Sequence, residues 1–260
     1  MLVKILSRVG PKTKVGIALN DPSLHMDSLR AGAQSESAHQ LLIRSELSER
    51  GLIDVETSFF DYTAADSKGA KGNGELFVVA APKELVYRQF ELVQSAGFKL
   101  LSIESNALAS LHALRHAKRW GRAERLLILD IGSRYSNVSV VVGERLVSSR
   151  IISIGGERFT KAVEEALACE RNQAEQLKIK HGLPAISARP TNSEAAQGLS
   201  EAAKVAQALA REVEKLTAEV EKSLHFALTK ESGTEGAERL DGIFFFGGGA
   251  RLRNLKEYFE

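Results

Sequence analysis

Two stretches decide the reading of this chain: Leu126-Leu127-Ile128-Leu129-Asp130-Ile131-Gly132-Ser133-Arg134-Tyr135-Ser136, and Ile243-Phe244-Phe245-Phe246-Gly247-Gly248-Gly249-Ala250-Arg251-Leu252. Each is an apolar run of strand length that stops at a glycine turn. Glycine lacks a Cβ, so a strand ending in an acid and a glycine lets the next backbone N–H groups point at an anion. That is phosphate chemistry. Residues 251–259 after the triple glycine read as a helix, whose N-terminus would face the same ligand or its sugar. Two half-sites imply a cleft between them.

On the N-terminal side of these turns the sequence predicts a strand over 14–19, closed by Asn20-Asp21-Pro22. A polar helical stretch over 35–49 and a strand-like 54–62 follow. Residues 67–74 hold nothing apolar larger than alanine and read as an exposed hairpin loop. A buried strand over 75–81 resumes, with Pro82 opening a helix to about Gly97. The mixture predicts an inserted α+β subdomain. Beyond it the order is strand 99–103, helix 107–120, strands 125–130, 136–142 and 145–153, and helix 156–168. Short turns at Gly132 and Gly143-Glu144 make those strands a meander in a mixed sheet with helices packed on it, an α/β fold without simple parallel winding. Residues 183–198 read as loop. From Leu199 a long helix carries Val205, Leu209, Val213, Leu216, Val220 and Leu224 on one apolar face. Pairing as a coiled coil is conceivable, and packing on its own sheet is the simpler account.

Composition narrows the function classes. The 260 residues are 43% apolar, enough for one large or two smaller cored domains. Thirty-five basic and 33 acidic side chains give +2, so global charge announces neither nucleic acid nor membrane. The lone Cys169 leaves no internal disulfide framework and suits a reducing compartment. No signal-peptide core is seen at the N-terminus, and no apolar run approaches the ~20 residues of a spanning helix. A cytoplasmic protein is expected.

Five elements in order resemble the actin-like ATPases. Asp130-Ile131-Gly132, with Tyr135 and Ser136 shortly after, is similar to their second phosphate motif. Gly155-Gly156 opens a helix, Ala174-Glu175-Gln176-Leu177-Lys178 lies on the next, His181-Gly182 ends it, and Gly247-Gly248-Gly249 resembles the adenosine turn. Within that superfamily the chain most resembles the PilM-like (MshI-like) pilus biogenesis proteins, and more distantly the FtsA proteins of the division ring. The pilus branch is suggested by 78–84, by the connection 97–106 and by Val220-Glu221-Lys222-Ser223-Leu224-His225-Phe226.

The resemblance implies an actin-like (ribonuclease H-like) fold in three parts: 1–23 with 98–150, an inserted α+β subdomain over 24–97, and 151–260. It implies ATP and Mg²⁺, with Asp130 on the metal through water, since magnesium keeps most of its hydration shell. Gly132, Ser133 and Tyr135 would offer backbone N–H groups and Ser136 a hydroxyl to the β and γ phosphates. Gly155 and Gly156 would open the helix beside them. Glu175 and Lys178, one turn apart, would take the ribose and border the adenine. Taken alone they are an ordinary surface pair; with the glycine turns they favour nucleotide contact. Gly247, Gly248 and Gly249 would let the adenosine lie against backbone. The implied role is a cytoplasmic scaffold of type IV or MSHA-type pilus assembly, peripheral to the inner membrane by binding the cytoplasmic N-terminal peptide of a PilN-like protein. Self-association is a further option, with no nucleic acid among the partners. The Phe59-Phe60 and Phe77 region is the candidate groove on composition.

Departures from the pattern bear on the chemistry. Gly16-Ile17-Ala18-Leu19-Asn20 stands where the superfamily has its first phosphate loop, without the acid or second glycine. Eleven residues follow the adenosine turn, fewer than its closing strand and helix need. Tyr135 replaces a usual threonine. These argue against hydrolysis, leaving at most a weak ATPase, and leave nucleotide binding an open question. An FtsA-like division tether would need a terminal amphipathic helix, and a small-molecule kinase an intact first loop and a substrate base. His112 and His116 have metal spacing without a third ligand. The basic cluster around Trp120, from Arg115 to Arg125, suits a helix C-terminus as well as an anionic surface.

Overall fold

A computed structural model describes residues 13–32, 35–49, 53–64, 74–117, 125–185, 200–232 and 239–259. Most of the expected loops over 67–74 and 183–198, and most of the basic cluster around Trp120, lie outside these residues. The chain separates into two compact units, Met1–Arg125 with Val141–Ser149, and Leu126–Val140 with Arg150–Glu260.

In the first unit, β1 (Lys14–Leu19) runs parallel to β5 (Lys99–Ser105), with a register shift between Val15 and Gly16. A three-stranded antiparallel sheet is ordered β2 (His25–Arg30), β4 (Glu75–Pro82), β3 (Ser58–Ala64). Central β4 is buried along most of its length, which explains its nearly continuous apolar sequence. Helix α1 (Glu36–Glu49) inserts Ile43 and Leu47 beside Leu29, Leu76, Val78 and Ala80 to form a small core. Helix α2 (Lys83–Ser95) starts after Pro82. It ends at Gly97 (φ 79), where the Phe98 N–H returns to the Val93 carbonyl at 3.1 Å. Helix α3 spans Asn106–Ala117.

One strand goes unannounced by the sequence, and one expectation is corrected here. Strand β2, His-Met-Asp-Ser-Leu-Arg, has no alternation to betray it; its ladder with β4 decides it. The strand expected over 54–62 begins only at Ser58. Asp54 accepts the Glu56 N–H on its carboxylate at 2.9 Å and the Thr57 N–H on its carbonyl at 3.2 Å, and this turn displaces the ladder.

The second unit is built on a sheet ordered β8 (Arg145–Ile152), β7 (Ser136–Val142), β6 (Arg125–Ile131), β9 (Gly242–Phe246). The hairpin end of β7 and β8 counts with the first unit. The expected meander is present: Gly143 (φ 62) and Glu144 make the two-residue turn between β7 and β8. Strand β9 adds parallel to β6, Leu126 facing Gly242 and Asp130 facing Phe246.

Helices α4 (Gly156–Leu167), α5 (Arg171–His181) and α6 (Glu201–Ser232) pack with this sheet around one core. The face expected of α6 is the buried one, with Val205, Leu209, Val213, Leu216 and Val220 almost inaccessible and Leu224 packed at the edge. Each such side chain contributes about 1.5–3 kcal/mol through burial. The helix expected over 251–259 is absent. Short 3₁₀ turns, Gly249–Arg251 and Lys256–Tyr258, flank Asn254, whose φ is 63. The Arg253 carbonyl accepts the Leu183 N–H at 3.0 Å, and the Asn254 amide donates to the Leu183 carbonyl at 2.8 Å. These tertiary bonds replace the helical ones.

Candidate functional site

Because β6 and β9 are parallel neighbours, both glycine turns emerge at the same carboxyl edge of the sheet, the side on which open α/β sheets hold ligands. Gly247 (φ 81) sits so close to the Asp130 carboxylate and the Ile131 carbonyl that a Cβ would overlap both. Gly249 is equally tight against Ile131, whereas a Cβ on Gly248 would meet nothing within 4 Å. The triple glycine thus has two positions fixed by close approach and one facing open space.

The Gly132 turn is clamped to the start of α4. The Gly156 N–H donates to the Gly132 carbonyl at 2.9 Å and the Glu157 N–H to the Ser133 carbonyl at 2.8 Å. A Cβ on Gly155 would lie 2.5 Å from the Ser133 carbonyl oxygen, so only glycine permits this approach. The Ser133 hydroxyl donates to Glu157 Oε1 at 2.9 Å, and Arg171 Nη2 stands 3.8 Å from the same oxygen.

Deeper in, one polar cluster joins α4 to α5. Lys178 Nζ donates to Glu175 Oε2 at 2.6 Å and to Thr160 Oγ1 at 2.9 Å, and approaches the Gly156 carbonyl at 3.4 Å. Thr160 Oγ1 lies 2.5 Å from Glu175 Oε2 and 3.0 Å from the Gly156 carbonyl. Lys178 is only 12% exposed and Glu175 45%. Burial pushes the Glu175 carboxyl up, but hydrogen bonds from Lys178 and Thr160, with the charges of Lys178 and Arg171, outweigh it and hold the group below its ordinary value.

These parts wall a cleft of about 590 Å³, in the range of small-molecule sites. Of the residues expected from sequence, Gly132, Ser133, Gly156, Glu175, Lys178, Gly248 and Gly249 line it. Asp130, Tyr135, Ser136, Gly155 and Gly247 are not among the lining residues, and of these only Ser136 and Gly155 are buried. Ser136 is fully buried and donates its hydroxyl to the Ile154 carbonyl at 2.6 Å, not toward the cleft. The Gly132 N–H is engaged by the Tyr135 carbonyl at 3.0 Å, so Gly132 contributes shape and not a donor. Sequence reasoning missed Glu157, Thr160, Arg171, Asn172 and Arg251, which also line the cleft. Their signal was helical spacing: Thr160 stands one turn from Gly156, and Arg171 one turn before Glu175.

Among the described residues no three His, Cys, Asp or Glu side chains converge to hold a metal. A cation at Asp130 would therefore draw its remaining ligands from water and phosphate oxygens, as magnesium does. His112 is occupied otherwise, its Nδ1 lying 3.2 Å from the Glu104 carboxylate. In the first unit, Phe59 is 42% exposed, meets Tyr87 edge-on at 5.6 Å and has Lys83 Nζ 5.7 Å from its ring centre. Phe60 is half-buried against the small core under Arg44, and Phe77 is buried, so Phe59 is the most exposed of that aromatic group. Among the described residues no helix is long and apolar enough to cross a membrane.

The family model of the cell division protein FtsA matches residues 127–260. The cell division protein FtsA of Bacillus subtilis (strain 168) is 25% identical over 146 residues, 55% of this chain and 32% of that protein, so the match spans about a third of the relative's length. A chain of the PilM-PilN type IV pilus biogenesis complex superposes with a TM-score of 0.77 at 19% identity, covering 99% of this chain and 69% of its own. MreB5 of Spiroplasma citri bound to ADP gives 0.53 at 18% identity, over 89% of this chain and 69% of its own. The fold is the actin-like α/β fold, and with more than half of its residues matched by the family model the chain belongs to the FtsA family.

Proposed function

We propose that this chain is an actin-like, nucleotide-binding scaffold of type IV or MSHA-type pilus assembly, working at the cytoplasmic face of the inner membrane through a PilN-like partner. The observation that carries the nucleotide half is the convergence of Gly132, Ser133, Gly156, Glu175, Lys178, Gly248 and Gly249 on one cleft. The residues fit ATP: Gly248 leaves room for a planar base, Glu175 and Lys178 are bonded and placed to take ribose hydroxyls, and the Ser133 hydroxyl lies in the same wall, where a phosphate chain would compete with Glu157 for it. Asp130 would hold Mg²⁺ through water. Bound ATP would supply a charged, displaceable ligand whose presence alters partner affinity. Turnover would be at most slow, since Asn20 closes β1 where the superfamily has an acid.

Support for the pilus half is the likeness of nearly the whole chain to one from the PilM-PilN complex. A PilN-like N-terminal peptide would add to β3, an edge strand in its sheet, with Phe59 and Tyr87 as apolar anchors beside Lys83. The three-part division into 1–23 with 98–150, 24–97 and 151–260 belongs to this reading, which makes the β2-β4-β3 sheet part of an insertion. A second reading, an FtsA-like division tether, is favoured by the family match over 127–260.

Calorimetry with Mg²⁺-ATP on the chain and on Asp130→Ala tests the nucleotide half; binding lost in the variant is expected, and no binding by either protein would overturn it. Titration with a PilN-like N-terminal peptide and with Phe59→Ala tests the partner half. Peptide binding weakened by that substitution is expected. Binding to division-ring components in place of the peptide would favour the tether.

A further inference from the structure

The Glu157 carboxylate lies in the wall of the cleft at a position with no use in the nucleotide reading. It accepts the Ser133 hydroxyl at 2.9 Å and stands 3.8 Å from Arg171 Nη2, so it engages a hydroxyl and a guanidinium suited to a phosphate oxygen. The backbone holds it there, because the Glu157 N–H also donates to the Ser133 carbonyl at 2.8 Å. Two bonds between the same two residues, one through each backbone and one through each side chain, keep the carboxylate over the Gly132 turn. Of the other ionised side chains lining the cleft, Glu175 is bonded to Lys178 and Arg251 belongs to the opposite, triple-glycine wall.

We infer that Glu157 is a built-in competitor for the phosphate side of the cleft: its carboxylate occupies Ser133 and Arg171 until a polyphosphate displaces it. This rests on the nucleotide reading above. A negative side chain fixed at the phosphate end opposes a ligand in proportion to the charge of its phosphate chain, and leaves a nucleoside unaffected. Displacement frees Ser133 and Arg171 together, while the backbone bonds between the Gly132 turn and α4 stay in place.

The test titrates adenosine, ADP and ATP, first in chelator and then with Mg²⁺, into the full chain, Glu157→Gln and Glu157→Asp. Glutamine keeps an acceptor for the Ser133 hydroxyl and removes the charge; the side chain is 42% exposed, so folding is not at risk. Expected is a gain in ATP affinity of about tenfold for Glu157→Gln, a smaller one for ADP and none for adenosine, with no gain for Glu157→Asp. An equal change for all three ligands, or none, would overturn the inference and leave Glu157 a cap on α4. Loss of affinity confined to the Mg²⁺ arm would also overturn it, by making Glu157 a cation ligand. If neither the parent nor Glu157→Gln binds any of the three, the nucleotide reading itself falls and this inference with it; adenosine binding without a charge-ordered gain removes the inference alone.

Discussion

In the second unit, Gly155, Gly247 and Gly249 stand where a Cβ would strike the backbone or side chains of 130–134; in the first, Gly16 would meet only the Ser102 hydroxyl at 3.3 Å, and Gly97 and Gly32 meet nothing within 4 Å. Gly74, against the backbone of Gly32, is a tight position in the first unit. The contrast separates two ways of building a fold. A sheet with helices on it accepts many apolar sequences of the right volume, whereas a cradle made of backbone touching backbone accepts few. The family model matches 127–260, the cradle's unit, while 13–125 resembles its neighbour in the PilM-PilN complex through the path of the backbone.

The largest effects should come from the cores themselves. Leu216→Ala in the second unit and Ile43→Ala in the first each remove a side chain with no exposure and should cost about 2–5 kcal/mol. Hydrogen exchange read strand by strand should find the loss in β6 and β9 for one and in β2 and β4 for the other. A uniform loss in both units would break the separation into two cores.

The glycine contrast itself comes next. Gly247→Ala combines a left-handed φ with a clash against Asp130 and Ile131 and should cost about 2–4 kcal/mol in urea unfolding. Gly97→Ala shares the left-handed φ but has open space, so about 1 kcal/mol is expected. Gly248→Ala, with neither problem, should stay within ~0.5 kcal/mol of the parent. Equal losses at Gly247 and Gly97 would remove the distinction between cradle and ordinary turn.

Lys178→Met sharpens the picture inside the cleft. The buried Thr160 and the half-buried Glu175 lose a shared donor, for an expected cost of about 1–2 kcal/mol in thermal unfolding. Weaker again is the pH dependence of Glu175→Gln. In the folded chain the Glu175 carboxyl titrates below its ordinary 4.5, so its stabilisation is complete above 4.5 and lost as pH falls through the folded value. Since Glu175 is exposed over nearly half its surface, the difference between parent and variant should stay under about 1 kcal/mol at pH 7 and shrink as pH falls through the folded value. Asp21 in the first unit is held low by the Ser23 hydroxyl at 2.6 Å and the Ser23 N–H, and Asp21→Asn should follow the same sign at a similar or smaller size.

The readable parts of the fold were those with strong periodicity or strong punctuation. Helix α6 announced its buried face through Val205 to Val220, and the ends of β6 and β9 announced themselves through Asp130-Ile131-Gly132 and the triple glycine. Strand β2 was hidden because Asp27 and Ser28 break any apolar alternation, and Ser28 finds its partner far along the chain in the Val147 carbonyl at 2.8 Å. In the cleft, residue types were legible and directions were not. Ser136 has the composition of a phosphate ligand, yet its hydroxyl points to Ile154 because inward positions of β7 face the core.

By itself, the sequence determined where the chain could turn sharply, which helix face had to be buried, and which glycines could approach backbone, since these follow from the presence or absence of a Cβ and from local periodicity. Tertiary structure alone decided that β9 lies beside β6, so that the two glycine turns open on one edge, and that Lys178 reaches Thr160 and Glu157 covers Ser133. Strand pairing and side-chain hydrogen bonds between distant segments depend on which backbone groups remain without partners once the core has closed, and no local pattern in the chain encodes that.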